Sequence, residues 1–486
     1  MTEPRVTLPS GRLFIGGEFC ESLSGRTFPT VNPATEEVIT EVALADEADV
    51  DRAVRAARQA FEEGPWSRMT PYERSRLLWR IGDLVWAHRE ELAYIESLDS
   101  GKPIRDARNV DVPMVAELFH YYAGWVTKIH GETVPTKWPA FCYTLREPLG
   151  VCAAITPWNF PLLLAVWKIA PALACGNTVV HKPSETTPLS ILKLAEIFQE
   201  ADAPPGIFNV VTGPGAVTGA ALVRHPGVDK IAFTGSTETG KWVMREAAAT
   251  LKRVTLELGG KSPNIVFADA DLEAAVRGAY IGIFYNQGEV CAAGSRLIVD
   301  ADVHDRLLER LVERTQKLRP GDPLDPNTRM GPLANKAQLE KVESYVRKAL
   351  EEGDRLVIGG RRPPFERGYF FEPTIFDSVD PAHTIAQEEI FGPVLAVIPC
   401  RDEEEMIRVA NQTIYGLAAA VWTRDVKKAH RVARALKAGT VWVNTYNLYD
   451  VSMPFGGYKH SGFGRELGMH ALEMYTQVKS VWVDLS

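Results

Sequence analysis

Between Val151 and Leu258 the chain repeats one pattern: a short apolar run, a turn rich in glycine or proline, then a helical stretch. Val151 to Ile155 reads as a buried strand and Leu162 to Ala174 as helix; Thr178 to Val180 is the next strand, and Thr187-Pro188 opens a helix lasting to about Ala201. Ile207 to Val211 and Lys230 to Phe233 are further strands, and Val254 to Leu258 runs into Gly259-Gly260. Parallel strands need a crossover between them, usually a helix, so this alternation predicts a doubly wound α/β domain. Ligands in that architecture sit at the carboxyl ends of the strands, which makes the residues ending each strand the ones to inspect.

The flanking segments are of other kinds. Leu13, Phe14 and Ile15 are extended, with Gly16-Gly17 as a turn; Asp46 and Asp49 precede helically spaced Val50, Ala53, Val54, Ala57 and Phe61. Thr70-Pro71-Tyr72-Glu73 is a capping box with proline at the first helical position, ahead of Leu77, Leu78, Ile81, Leu84 and Val85 on one face. From Val134 to Pro148, prolines at 135, 139 and 148 surround a β-type run, Phe141 to Leu145, which suits an edge strand or a projecting hairpin. Beyond Gly260 a second α/β segment is expected, with strands near Ile265 to Phe267 and Leu297 to Val299. Helices are expected at Val303 to Leu318 and Leu339 to Leu350, a loop over Arg319 to Gly331, and a terminal strand from Ser480 to Leu485.

At 486 residues the chain exceeds what one core usually organises, so two or more domains are expected. Net charge is -8, with 54 basic against 62 acidic side chains and no basic block, which argues against nucleic acid and anionic membranes as partners. The six cysteines are scattered without a Cys-x-x-Cys pair, so neither a disulfide framework nor a zinc site is expected, and no metal is called for. Glu3, Pro4, Arg5 and Arg12 leave no apolar core of signal-peptide length, and the apolar run Leu162 to Gly176 is too short to span a membrane. A cytoplasmic enzyme fits these bounds.

The chemistry centres on Cys291, in Tyr285-Asn286-Gln287-Gly288-Glu289-Val290-Cys291-Ala292-Ala293-Gly294-Ser295-Arg296. Small neighbours let a ligand approach the sulfur, but an ordinary thiol is only a few per cent ionised at neutral pH and needs an activator. Thr234-Gly235-Ser236-Thr237 follows a strand and opens a helix, so its amides either receive an anion or are simply capped by Ser236. Lys182-Pro183-Ser184-Glu185 ends another strand; Lys182 and Glu185 could grip ribose hydroxyls, and Glu185 would repel a 2'-phosphate, which favours NAD over NADP. Glu257 is either a general base or a carboxylate beginning a turn, and Asn159 either donates to an oxyanion or bonds turn backbone. His181 is the nearest candidate among the histidines for a cysteine partner, and it adjoins the proposed ribose site.

Taken together, Thr156 to Leu162, Lys182 to Glu185, Phe233 to Gly240, Leu256 to Asn264, Asn286 to Arg296, Glu388 to Val394 and Pro454 to Gly468 resemble the aldehyde dehydrogenase superfamily in order and spacing over essentially the whole chain. The resemblance implies that Cys291 attacks the aldehyde, that the Asn159 amide and the Cys291 N–H hold the oxyanion, and that Glu257 activates the water that hydrolyses a thioester. Lys168 and Glu466 match a pair proposed to pass protons to solvent. For the cofactor it implies Ile155, Thr156, Pro157, Trp158, Lys182, Ser184, Glu185, Gly215, Phe233, Thr234, Gly235, Ser236, Leu258, Gly259, Glu389 and Phe391. The substrate tunnel it implies is lined by Phe160, Trp167, Tyr285, Val290, Tyr449 and Phe455, either as a box for flat or medium apolar aldehydes, for a quaternary ammonium, or as generic apolar lining. Glu289 stands where glutamine is common in the family.

The expected architecture is therefore a Rossmann-like cofactor domain (1–129 and 149–258), an α/β catalytic domain (259–460) and a small β oligomerisation element (130–148 and 470–486), assembled as a homodimer or homotetramer. The expected activity is NAD-dependent oxidation of an aldehyde to a carboxylate. An acylating relative using coenzyme A and a non-catalytic relative that kept the fold are the rivals. A cofactor-free cysteine hydrolase would have no use for the nucleotide motifs.

Overall fold

The computed structural model describes residues 6–486. Glu3, Pro4 and Arg5, part of the argument against a signal peptide, lie outside the described residues. The alternation between Val151 and Leu258 folds as its pattern requires. Strands Val151–Ile155, Thr178–Lys182, Phe208–Val210, Lys230–Thr234 and Arg253–Glu257 pair in parallel, every residue of the first two and of Lys230–Thr234 being buried. From Val151–Ile155 the chain first adds strands on one side, through Thr178–Lys182 to Phe208–Val210, and then returns to add Lys230–Thr234 and Arg253–Glu257 on the other. This reversal opens a crevice at the carboxyl ends of Val151–Ile155 and Lys230–Thr234, where a doubly wound sheet binds its ligand. Leu13–Ile15 and Glu18–Cys20 extend one edge antiparallel, and Gly462–Phe463 closes the other.

A second sheet of seven strands lies in order Arg355–Ile358, Thr374–Asp377, Val394–Cys400, Arg296–Asp300, Pro263–Val266, Ala418–Trp422 and Thr440–Val443, parallel except at its first pair. Helices cover it, among them His304–Thr315 and Lys336–Glu351, close to the expected bounds. The capped helices near the amino end also form: Asp46 caps Glu47–Glu62 and Thr70 caps Pro71–Ala87, each through a complete capping box.

One expectation is corrected. The strand around Phe141 to Leu145 is Ala140–Pro148, and it is the central strand of three, between Thr133–Val134 and Thr476–Asp484. Its prolines do not make it an edge: Pro139 precedes it and Pro148 ends it, opposite Thr476, so no interior rung loses a donor.

Candidate active site

Cys291 lies between the helix Leu272–Phe284, capped by Asp271, and the buried strand Arg296–Asp300. It is half-buried, with Ala292 and Ala293 buried beside it, and Tyr446 Oη donates to the Ala292 carbonyl at 2.8 Å. Glu257 ends its strand in register with Thr234 and Gly462. The chain then turns through Gly259-Gly260, where glycine is required by close approach. A Cβ on Gly259 would come 2.2 Å from Glu389 Oε2, and one on Gly260 would come 2.4 Å from the Cys291 carbonyl oxygen. Two missing methyls thus let the cysteine loop and Glu389 close onto the strand that carries Glu257. Glu389 Oε1 accepts from Gly260 N at 3.0 Å.

Cys291, Gly259 and Glu389 open on one cleft of about 210 Å³, bordered also by Pro157, Trp158, Asn159, Thr234, Gly235, Ser236, Leu258 and Phe391, while the Glu257 carboxylate lies outside this lining, toward Gly456. A second cleft, of about 610 Å³, holds Ile155, Gly215 and Phe233 together with Trp242, Arg224 and Glu238. Thr156, Lys182, Ser184 and Glu185 sit at the strand ends nearby. Lys182 Nζ is 3.4 Å from Glu185 Oε2 and donates to the Pro183 carbonyl, while Ser184 Oγ accepts from Thr186 N. Ser236 caps the helix Thr237–Ala247 through Thr239 N, at 3.2 Å, and also borders the Cys291 cleft.

Asn159 is tied to a distant segment. Its Nδ2 donates to the Glu289 carbonyl at 2.9 Å, a backbone bond across two segments, which leaves the second amide N–H uncommitted. His181 is no partner for the thiol. Its Nε2 meets Thr156 Oγ1 at 2.9 Å, and burial, with the Lys182 and Lys168 charges adding, pushes its pKa down to about 3.

Burial dominates the electrostatics. It pushes the Cys291 thiol up to about 12, with the Glu257 and Glu389 charges adding. Burial also raises Glu257 well above the carboxylate range; the Glu466 charge adds, while Lys168 and Arg465 pull the other way. Burial thus disfavours the charged form of both groups. Behind Glu257, Lys168 Nζ bonds Glu466 Oε1 at 2.5 Å and Thr234 Oγ1 at 2.7 Å, all three residues buried.

The aromatic residues form two packed groups. Phe160 stacks on Tyr285, and Trp167, Tyr449 and Phe455 pack mutually with ring centroids 5.5–6.2 Å apart. Cys291 is close enough for its charge to raise the Tyr449 phenol, after burial. Val290 is buried next to Cys291. Lys102 places its ammonium 3.8 Å from the centre of the Phe160 ring, so one face of this box already carries a cation.

Sequence reasoning missed Gln338 and Lys341, which border the Cys291 cleft. Both lie in the first two turns of Lys336–Glu351, a helix capped by Asn335, and their i, i+3 spacing puts them on one face; that cap and spacing were the available signal. Gln338 is held by the Ile390 and Phe391 carbonyls, and burial lowers the Lys341 pKa against the raising effect of Glu389 and Glu388. Elsewhere, Glu352, Asp354 and His383 bring three ligating atoms within 4.8 Å of one another among the described residues. Ordinary hydrogen bonds account for them: His383 Nδ1 to Asp354 at 2.7 Å, and Glu352 capping Thr384 N at 2.9 Å.

A parallel sheet with its crevice at the reversal point, bordered by a cysteine, a carboxylate and an amide, is the arrangement of a dinucleotide-dependent oxidoreductase. The model of the aldehyde dehydrogenase family matches residues 19–481, and the chain belongs to that family. Human mitochondrial aldehyde dehydrogenase is 50% identical over 474 residues, covering 97% of this chain and 92% of its own. The mitochondrial benzaldehyde dehydrogenase of Antirrhinum majus is 48% identical over 480 residues, 99% of this chain and 90% of its own. Among solved structures, the NAD+ complex of an aldehyde dehydrogenase from Bacillus cereus superposes with a TM-score of 0.97 at 51% identity, covering 98% of this chain and 96% of that one.

Proposed function

We propose that this chain oxidises an aldehyde to its carboxylate with NAD, through a thioester on Cys291. The approach of Glu389 and the Cys291 loop to the two glycines that follow Glu257, with Asn159 bordering the same cleft as Cys291, carries the reading. NAD, when bound, supplies the hydride acceptor. The protein suits it: apolar Ile155, Phe233 and Trp242 line the larger cleft for a base, Gly215 borders open space, and the helix Thr237–Ala247 directs its N-terminal amides toward a pyrophosphate. Lys182 and Glu185 hold the adenosine ribose, and Glu185 disfavours NADP. Glu389, with Phe391 packed on Trp158 at 5.3 Å, holds the nicotinamide side. We divide the chain into a cofactor domain of 1–129 and 149–258 and a catalytic domain of 259–460 that carries Cys291 and lends Gly259, Glu389 and Phe391 to the cofactor site.

Cys291 gives its thiol proton to Glu257, which passes it on to Lys168 and Glu466, as the sulfur bonds to the aldehyde carbon and the carbonyl π pair moves to the oxygen, to which the free N–H of Asn159 and the Cys291 N–H donate. Removing such a donor costs roughly 2.7–4 kcal/mol of transition-state stabilisation. Glu257 takes a proton from water, which attacks the thioester carbon and releases the carboxylate and the thiol. Lys168 and Glu466 lead that proton away. The aromatic lining suits neutral flat or medium apolar aldehydes, and the benzaldehyde dehydrogenase relative supports this choice.

Two outer surfaces support self-association. Trp482 and Val478 on Thr476–Asp484 are each 60% exposed, and Val443 is exposed on the last strand of the second sheet. We read a homodimer or homotetramer. No helix among the described residues is long and apolar enough to cross a membrane, and a cytoplasmic enzyme remains our reading. The test is NADH formation by purified protein with NAD and NADP in parallel over aliphatic, aromatic and trimethylammonium aldehydes, with product analysis in the presence and absence of coenzyme A. Acyl-coenzyme A as product would replace hydrolysis by acyl transfer. Failure to reduce NAD with any aldehyde, or equal activity in Cys291→Ala, would overturn the mechanism.

A further inference from the structure

Asn286, five positions before Cys291 and 2% exposed, takes no part in the mechanism above. The helix Leu272–Phe284 ends just before it, and the chain then passes through three successive left-handed positions: Asn286 (φ 47°), Gln287 (φ 57°) and Gly288 (φ 74°). Side chains other than asparagine and aspartate rarely accept that backbone, and it persists only where the surroundings over-determine it. Here the turn bonds outward in separate directions. Gln287 Oε1 accepts from Gly331 N at 3.2 Å, and Glu289 Oε1 accepts from Ala334 N at 3.0 Å.

The Asn286 amide turns the other way, to Asn159. Its Nδ2 donates to the Asn159 carbonyl at 3.1 Å and to the Glu289 carbonyl at 3.3 Å. The same Glu289 carbonyl accepts from Asn159 Nδ2 at 2.9 Å. Two buried amides therefore share one acceptor, and one of them also holds the main chain of the other. A carbonyl oxygen has two lone pairs, so this one is saturated and its direction is set from both sides. With one N–H of Asn159 committed to it, the plane of that amide is defined, and the second N–H has a single direction left.

We infer that Asn286 is a positioning residue for the oxyanion: it aims the free N–H of Asn159 through the Glu289 carbonyl and the Asn159 main chain, without touching substrate. This rests on the assignment of Asn159 as oxyanion donor. Donors of this kind work only when held close to the productive geometry, and a displacement of the order of 1 Å costs about 100-fold in rate.

A double-mutant cycle in the full chain tests it. Asn286→Gly keeps the left-handed backbone accessible and removes the amide; Asn286→Asp keeps size and backbone tolerance and removes the donors. Each should lower kcat by about 100-fold with NAD affinity unchanged. Asn159→Ala alone should lower kcat by about 100- to 1,000-fold, and adding Asn286→Gly to it should slow the enzyme little further, because one residue acts through the other. Multiplicative losses in the double variant, or wild-type kcat in both Asn286 variants, would overturn the inference, as would loss of folding in both, which assigns Asn286 to the scaffold. Full kcat in Asn159→Ala would instead remove the oxyanion assignment itself.

Discussion

Phe455 and Glu466 exchange both backbone hydrogen bonds, Phe455 N to Glu466 O at 2.7 Å and Glu466 N to Phe455 O at 2.8 Å. Outside this rung the two side chains face different tasks. Phe455 packs edge-on against Trp167 and Tyr449, while Glu466 is bonded to Lys168 behind Glu257. One short antiparallel contact thus registers the aromatic wall against the buried ion pair, so a shift in either displaces the other.

Removing one partner of that pair should be costly. In Glu466→Ala the Lys168 ammonium stays buried with Thr234 as its remaining oxygen. Breaking a buried pair this way costs about 3–5 kcal/mol, whereas replacing both partners by apolar residues is often neutral. Thermal melting should therefore show a large drop for Glu466→Ala and recovery in Lys168→Met combined with Glu466→Leu. Thioester hydrolysis should stay slow in both. Equal melting of the single and double variants would remove the energetic role of the pair.

Glu257→Gln removes the proposed base but leaves Cys291. Stopped-flow mixing with NAD and aldehyde should give a burst of about one NADH per chain followed by slow turnover, with the acyl group on Cys291 detectable by mass spectrometry. Wild-type steady-state turnover would take Glu257 out of the base role.

The Cys291 thiol, pushed up to about 12 mainly by burial, should alkylate slowly in the free protein. Below that value the thiolate fraction, and so iodoacetamide labelling of the Cys291 peptide, should climb about tenfold per pH unit between roughly pH 7 and 10. Levelling off near the ordinary thiol value of 9.0 would mean that burial does not control this cysteine.

Glu289 is buried, and burial raises its pKa well above 4.5. The folded chain keeps a proton there that the unfolded chain gives up above about pH 4.5. Its contribution to stability is therefore complete below that pH and is lost as pH rises toward the folded-state value. Glutamine keeps an oxygen for Ala334 N and cannot ionise. The melting-temperature advantage of Glu289→Gln should grow between about pH 5 and 8, and a constant difference across that window would contradict the raised value.

Local pattern was enough for the parallel sheet, its crevice, the capped helices Glu47–Glu62 and Pro71–Ala87, and the motifs around Cys291, Glu257 and Lys182. Strand alternation and capping chemistry act within a few residues, so they are written in the local sequence. What local pattern could not supply were relationships between distant segments. The prolines around Phe141 to Leu145 do not reveal that Thr476–Asp484 returns to make that strand central. Asn159 read alone leaves oxyanion donor and turn ligand as alternatives, because its partners, the Glu289 carbonyl and Asn286, lie more than a hundred residues away. The position of Lys102 over Phe160, and of Gln338 and Lys341 in the cleft, likewise follows from packing between segments. Residue type and spacing determined which chemistry this chain carries; only the tertiary structure decided how its groups are aimed and ionised, because direction and dielectric depend on everything that packs around a group.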